Sequence, residues 1–331
     1  MRTALGSSNL SSPDRDRLPE VVFTIGDPSG IGPEVFLKAL FDPRLAGTLR
    51  PVVFGSELYL RSLAREIGLG ELPGDWEFLG DQQLDYPPRW GLVDPAAGKV
   101  AWKCLEQAVD YCLTHQSGLL ITAPIHKQAM QQAGFPYPGH TEYLAQRFQR
   151  GRTVMAFFSK KLVVALATIH IPLKAVPQSL NCRQVCATAT LLREALIGTG
   201  LLTPRLALCG LNPHASEGGL FGDEEADILS PAVEAFCDRF GGGLVGPLPA
   251  DTLFYRALQG EFDGVVALYH DQGLIPMKLL AFDSSTNVTL GLPLVRTSPD
   301  HGTAFDIAGR NRANPGSMIS SIEWGLRLAQ L

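Results

Sequence analysis

Apolar residues along the chain follow two spacings. Short unbroken runs, many of them β-branched, alternate with longer stretches in which apolar residues recur every three or four positions. The first spacing marks strands buried on both faces of a parallel sheet, and the second marks helices with one buried stripe. Residues 21–25, 51–54, 119–122, 205–209, 264–268 and 287–290 predict strands. Residues 153–158 and 162–168, joined by Ser159-Lys160-Lys161, predict an antiparallel hairpin at a sheet edge. Helices are predicted over 35–40, after a Ser56 cap, over 99–115, 181–197 and 222–240, and from about 318 to 329. In the 222–240 helix, Asp223, Glu224 and Glu225 fall at the positive end of the dipole. Residues 1–18 lack periodicity and read as a disordered tail. The alternation defines an α/β protein of α/β/α layers, with mostly parallel sheets and one antiparallel hairpin.

Composition narrows the class. A chain of 331 residues exceeds the usual size of one compact core, so two lobes with a cleft between them are expected. Hydrophobic residues at 45% and charged residues at 18% fit a soluble enzyme-sized protein. A net charge of −5 without a basic stripe argues against a nucleic-acid partner. The six cysteines form no CxxC pair and read as reduced, mostly buried small hydrophobes. Neither a membrane-length apolar run nor a signal-peptide core is present in the sequence, so a cytoplasmic protein without a membrane partner is expected.

Polar clusters punctuate the ends of the apolar runs, where α/β sheets gather ligands. The stretch 263–309 is the richest, with His270 and Asp271 after one strand and Lys278, Asn287 and Arg296 beyond. The turn Asp300-His301-Gly302-Thr303 follows. Near the other end, strand, Gly26-Asp27-Pro28-Ser29-Gly30-Ile31-Gly32-Pro33-Glu34 and helix follow in order. Those glycines suit either close approach to an anion or a tight βα turn, and the spacing is not GxGxxG. Ala123-Pro124-Ile125-His126-Lys127 repeats the pattern, and Thr141 is placed to cap a helix or to meet a ligand. His115, at a polar helix end, reads as a surface residue. His170, His214 and His270 each follow an apolar strand. One such histidine is usually structural, but three in the same setting suggest a catalytic zinc site with an open position. Beside it, Arg296 as a fork and Lys278 as a point charge or proton carrier suit an anionic substrate.

The residues resemble the 4-hydroxythreonine-4-phosphate dehydrogenase family of pyridoxine phosphate (vitamin B6) biosynthesis, from about Val21 to Gly316. GDPSGIGPE (26–34), TAPIHK (122–127), GHTE (139–142), CGLNPHASEGG (209–219) and GPLPADTLF (246–254) carry the resemblance. YHDQG (269–273) and NVTLGLPLVRTSPDHGTAFDIAG (287–309) complete it. GDPSGIGPEV and HGTAFDIAG are also similar to stretches of the isopropylmalate and isocitrate dehydrogenases. That likeness implies an isopropylmalate-dehydrogenase-like fold. Its expected lobes are 19–135 plus 290–331 on the cofactor side and 136–289 for metal, substrate and dimerisation. It also implies NAD or NADP held by His301, Gly302, Thr303 and Asp306. The resemblance places one divalent metal (Zn, Mg or Co) on His170, His214 and His270, and substrate on His140, Thr141, Lys278, Asn287 and Arg296.

The implied reaction oxidises 4-phosphooxy-L-threonine at C3 to a β-keto acid, which decarboxylates to 3-amino-2-oxopropyl phosphate. Lys278 is the candidate for proton transfer, with Asp251 as the alternative base. The alternatives are a paralogous dehydrogenase of 4-phospho-threonate or 4-phospho-erythronate, a metal-dependent hydrolase or aldolase, and a non-catalytic binding module. A hydrolase has no use for the HGTAFDIAG loop, and a binding module none for the three histidines. The resemblance also implies a homodimer with shared active sites, in which His170, after the expected edge hairpin, is the ligand expected to cross to a partner.

Overall fold

The computed structural model describes residues 18–80 and 87–331. The chain enters with β1 (Glu20–Thr24), α1 (Gly32–Leu40), β2 (Arg50–Phe54), α2 (Glu57–Glu66) and β3 (Glu77–Leu79). Next come α3 (Pro95–His115), β4 (Leu119–Thr122), α4 (Lys127–Gln132) and α5 (His140–Arg147). A central run follows of β5 (Val154–Phe158), β6 (Val163–Leu166), α6 (Val176–Ser179), α7 (Cys182–Gly198) and β7 (Leu206–Cys209). The rest is α8 (Ser230–Phe240), β8 (Leu244–Leu248), α9 (Ala250–Leu258), β9 (Gly264–Ala267), α10 (His270–Ala281), β10 (Thr286–Leu290), β11 (Val295–Pro299) and α11 (Gly316–Ala329).

The strands form one sheet of eleven, in the order β3-β2-β1-β4-β11-β10-β5-β6-β9-β7-β8. From β3 to β11 all neighbours are parallel, as they are from β6 to β8. Between these halves β10 runs against both β11 and β5, and β5 against β6. The expected α/β/α architecture is present. The hairpin of β5 and β6, expected at an edge, lies instead at the centre of the sheet. It joins two parallel halves of opposite direction, and so it needs a partner on each side.

Several elements were not legible from periodicity. β8 contains Gly246 and Pro247, which read as a break, and β11 carries Arg296 among its apolar positions. α10 contains Gly273 and Pro276, so HDQGLIPMKLLA does not look helical, yet it forms twelve residues of helix. The helix predicted from 99 begins at Pro95, with Asp94 accepting from the Ala96 amide at 2.9 Å. Ser56 caps α2 as expected, its hydroxyl accepting from the Tyr59 amide at 3.3 Å. All six cysteines are free.

Helices cover the two faces of the sheet unequally. On one face α1, α2 and α11 pack over β1, β2 and β4, and α7 and α8 pack over the other half. α11 spans both cores, with Ile319 and Ile322 in one and Trp324 in the other. On the opposite face α3 to α5 cover one half and α9 with α10 the other, leaving two separate cores. The central strands between those cores carry no helix, and that gap is the cavity described next. Among the described residues, no helix is long and apolar enough to cross a membrane.

Candidate active site

The gap is a cavity of about 530 Å³, within the range of small-molecule sites. Its floor is the uncovered face of the central strands. Arg296 pairs in register with Thr289 of β10, which pairs with Met155 of β5, while Asn287 pairs with Ser298 and Phe157. Alternation along each strand puts all six residues on one face. α10 forms one wall with Leu274, Ile275 and Lys278, and the start of α5 forms another with His140, Thr141 and Glu142. Residues 122–125, Lys127 and the turn 298–302 close the remaining rim.

Nine of the thirteen expected site residues meet here: His140, Thr141, His170, His270, Lys278, Asn287, Arg296, His301 and Gly302. His214, Asp251, Thr303 and Asp306 do not line the cavity. Thr303 is buried against the glycine turn, where its carbonyl accepts from the Ile31 amide at 3.0 Å. A Cβ on Gly30 would stand only 2.7 Å from the Thr303 Cβ, so this approach requires glycine. Asp306 is exposed on the same loop. Phe305 stacks on His126, with ring centroids 4.6 Å apart. The expected cofactor-side loop is thereby bound to both the glycine turn and the TAPIHK segment.

The electrostatics point to an anion. Arg296 is 3% exposed and donates to Thr289 Oγ1 at 3.1 Å and Thr122 Oγ1 at 2.6 Å. Its Nε has no partner, and burial pushes the guanidinium pKa down to about 10. A buried cation without an opposite charge costs several kcal/mol, which a bound anion offsets. His140 Nε2, Asn287 Oδ1 and His301 Nε2 are also buried and unpartnered. Burial, with Arg296 and Lys127 nearby, holds His140 well below the ordinary histidine value and hence neutral. Lys278 is engaged elsewhere, 2.5 Å from the Asp300 carbonyl and 2.8 Å from its carboxylate. Its partner is an acid.

The imidazoles divide differently from expectation. The His170 and His270 rings lie 5.7 Å apart within one chain. Burial, then Lys127 and His270, lower the His170 pKa. His270 Nδ1 is 2.7 Å from the Asp271 carboxylate, which leaves Nε2 for a ligand. His214, by contrast, stands exposed on another loop. Among the described residues no group of three or more His, Cys, Asp or Glu side chains is placed to hold a metal ion. One chain therefore supplies two adjacent imidazoles, fewer than the three ligands of a catalytic zinc site. His170, expected to cross to a partner, stays beside His270, and His214 is the separated one.

The loop bearing His214 is left-handed. His214, Ala215, Ser216 and Glu217 have φ of 52°, 52°, 72° and 45°, a conformation costing non-glycine residues roughly 1 to 2 kcal/mol each. Left-handed residues normally occur singly, so a run of four needs support from its surroundings. α9, with the exposed Asp251 in its first turn, packs against this loop. Two of the four residues missing from the cavity, His214 and Asp251, thus share one surface.

Asp27 was not singled out by its spacing, although it lies in the glycine turn. It is fully buried, its Oδ1 accepts from the Ser29 amide at 2.8 Å, and its Oδ2 is unpartnered. Its backbone amide donates to the carbonyl of Pro124, a cavity residue, at 2.9 Å.

An enzyme-like cleft between two parallel half-sheets, built to hold an anion beside imidazoles, defines the class. The chain belongs to the family described as pyridoxal phosphate biosynthetic protein PdxA, whose model matches residues 50–325. It is 40% identical over 322 residues to a 4-hydroxythreonine-4-phosphate dehydrogenase of Desulfosudis oleivorans, covering 93% of this chain and 95% of the relative. It is 40% identical over 323 residues to a D-threonate 4-phosphate dehydrogenase of Pectobacterium atrosepticum, covering 93% and 99%. The crystal structure of a Klebsiella pneumoniae 4-hydroxythreonine-4-phosphate dehydrogenase superposes with a TM-score of 0.84 at 38% identity, covering 95% and 99%.

Two outcomes follow for these residues. Burial raises the Asp27 pKa from 3.8 to about 6. Between those values the folded state keeps a proton that the unfolded chain has released, so Asp27 lowers stability as pH rises through that window. Asp27→Asn is expected to stabilise the protein by about 1 to 3 kcal/mol at pH 8, with a smaller gain at pH 5. Urea unfolding at both pH values measures this, and a pH-independent gain would place its origin elsewhere. Arg296→Lys retains charge but loses the planar fork, and kcat/KM should fall roughly ten- to a hundred-fold, for about 1.5 to 3 kcal/mol. Wild-type efficiency in that variant would mean that only charge matters at this position.

Proposed function

We propose that this chain is an NAD(P)-dependent dehydrogenase of 4-phosphooxy-L-threonine. The observation that carries this reading is the buried, unpaired Arg296 among unpartnered polar groups beside two imidazoles, in a member of this family. The substrate carries a phosphate and a carboxylate, and Arg296, His140, Thr141, Asn287 and Lys278 are assigned to binding it. A nicotinamide bound on the cofactor side would supply the hydride acceptor for C3, and a base takes the hydroxyl proton, giving a β-keto acid. The carboxylate then departs as carbon dioxide, a proton returns to the carbon, and 3-amino-2-oxopropyl phosphate results. Lys278, anchored by Asp300, is assigned the proton transfers, with Asp251 as the alternative base. His301, Gly302, Thr303 and Asp306 are assigned to the cofactor side. A divalent cation at the imidazoles would supply Lewis-acid polarisation of substrate oxygens.

His170 and His270 of one chain and His214 of a second are the ligands in this reading, which makes the enzyme a homodimer. Exposed apolar residues support it. Ile275, Leu279 and Phe282 are 59%, 81% and 68% exposed and form one stripe along α10. Ile171 and Leu173 after His170, Leu220 and Phe221 after the His214 loop, and Tyr255 of α9 are exposed as well. An isologous contact over such a face would carry His214 and Asp251 of each chain toward the other chain's cavity. The same reading divides the chain into lobes 19–135 with 290–331, and 136–289; the separate cores on the cavity face support two lobes, with Tyr143 and Leu144 of α5 packed in the first.

The D-threonate 4-phosphate dehydrogenase relative supports a second reading, with a phosphorylated sugar acid as substrate, because its 40% identity equals that of the first relative. A panel of both phosphorylated acids and of 4-phospho-erythronate, with NAD and NADP and with Zn, Mg or Co restored after chelation, tests the assignment. Cofactor reduction with 4-phosphooxy-L-threonine at an efficiency well above the others is expected. Preference for D-threonate 4-phosphate would select the second reading, and no reduction with any of them would defeat both.

Subunit mixing tests the division of ligands. Inactive His214→Ala combined with inactive His270→Ala should regenerate about a quarter of wild-type activity after exchange, since about half the dimers are mixed and each has one intact site. His170→Ala with His270→Ala should regenerate none. The opposite pattern, with exchange confirmed by native mass spectrometry, would return His170 to the crossing role.

A further inference from the structure

We propose that Glu225 is a positioning residue whose carboxylate shapes the loop that presents His214. The inference rests on His214 being the metal ligand given to the second chain. Acidic residues at 223–225 fit a helix dipole when seen in sequence, but Glu225 turns back from a π-helical turn (Glu225–Leu229) and is 5% exposed. Its Oε1 accepts from the backbone amides of Leu211 at 2.8 Å and Asn212 at 2.7 Å, and its Oε2 from the Asn212 side chain at 2.8 Å. The same Asn212 amide group donates to Glu224 at 2.8 Å. These donors lie immediately before Pro213, after which the left-handed run begins at His214. Gly210 fits the remaining space, since a Cβ there would come within 3.0 Å of Ala215 and 3.3 Å of Glu225 Oε1. Beyond His214, Ser216 Oγ donates to the Gly222 carbonyl and accepts from the Gly219 amide.

The carboxylate therefore fixes both residues that precede the left-handed turn, and the turn fixes the direction of the histidine. A second tie runs to the other imidazoles, because Gln272 accepts from the Leu268 amide at 2.7 Å and donates to the Gly210 carbonyl at 2.8 Å. Gln272 lies two residues after His270, so the bases of the two histidine-bearing segments are joined by one side chain. A glutamine at 225 has the same size and can still accept both backbone amides, but its NH₂ would face the NH₂ of Asn212. Glu225→Gln thus loosens the turn without removing volume from the core.

The test uses the full-length dimer, stripped with a chelator and titrated with Zn²⁺ against a chromophoric competitor, together with melting of the stripped protein. Glu225→Gln should weaken Zn²⁺ binding about 10- to 100-fold, the range for losing a partner behind a metal ligand. Its kcat should recover toward wild type at saturating metal. Asn212→Ala, which removes the neutral end of the same contact, should shift affinity in the same direction by less. Phe236→Leu, a core position of α8 that makes no hydrogen bond to the loop, should lower the melting temperature and leave Zn²⁺ affinity within about two-fold. Wild-type affinity in both Glu225→Gln and Asn212→Ala, with affinity lost in His214→Ala, would overturn the role of Glu225 and leave the ligand assignment standing. Equal weakening in Phe236→Leu would also overturn it, by tying affinity to global stability. Undiminished affinity in His214→Ala would overturn the ligand assignment first, and this inference with it.

Discussion

Strands β10 and β5 each run against both of their neighbours, and the architecture follows from those reversals. Two parallel half-sheets of opposite direction meet at β10 and β5, so their crossover helices are laid down from opposite ends. On one face α11 bridges the junction with Ile319, Ile322 and Trp324. On the other face no helix does, and strands that would otherwise be buried on both sides expose one row of side chains. In that row stand Arg296, Ser298, Asn287 and Thr289, polar residues in strands whose opposite face is fully packed. The cavity results from topology, and its chemistry from which side chains occupy the uncovered row.

That row is electrostatically incomplete. Arg296 has hydroxyl partners but no carboxylate, and Nε remains without any. Lys278, on the facing wall, is neutralised by Asp300. The two cations are thus held differently, one by the strands around it and one by an acid in the turn 298–302. A cleft of this kind favours an anionic ligand, because the Arg296 guanidinium gains a charged partner only when the ligand arrives. The buried Asp27, held mostly by a single backbone amide, belongs to the same pattern of local cost near a site.

Local cost is highest at the His214 loop. Four successive non-glycine residues in the left-handed region would not persist in an isolated peptide. Here Glu225 and the close packing at Gly210 hold them, and Gln272 ties the loop to the segment that bears His270. The result is a loop that does not line the cavity of its own chain, with exposed Leu220 and Phe221 beside it.

Much of this was legible in the sequence because it depends on local periodicity and local chemistry. The β-branched runs identified β1, β2, β4, β5, β6, β7 and β9 to within a residue or two, since burial on both faces favours unbroken apolar residues, and β10 was found although Asn287 and Thr289 interrupt it. Polar clusters after those runs pointed to His170, His270, Lys278, Asn287, Arg296, His301 and Gly302, while the family resemblance supplied His140 and the substrate role of Thr141. What escaped was set by tertiary context. β8 and β11 tolerate Gly246, Pro247 and Arg296 because neighbouring strands, rather than propensity, hold them in the sheet. α10 tolerates Gly273 and Pro276 because it packs closely on β6 and β9. The central place of the hairpin and the grouping of His170 with His270, apart from His214, are also absent from any local pattern. They depend on which strands lie side by side and on where a left-handed turn aims a loop, and only long-range packing decides those.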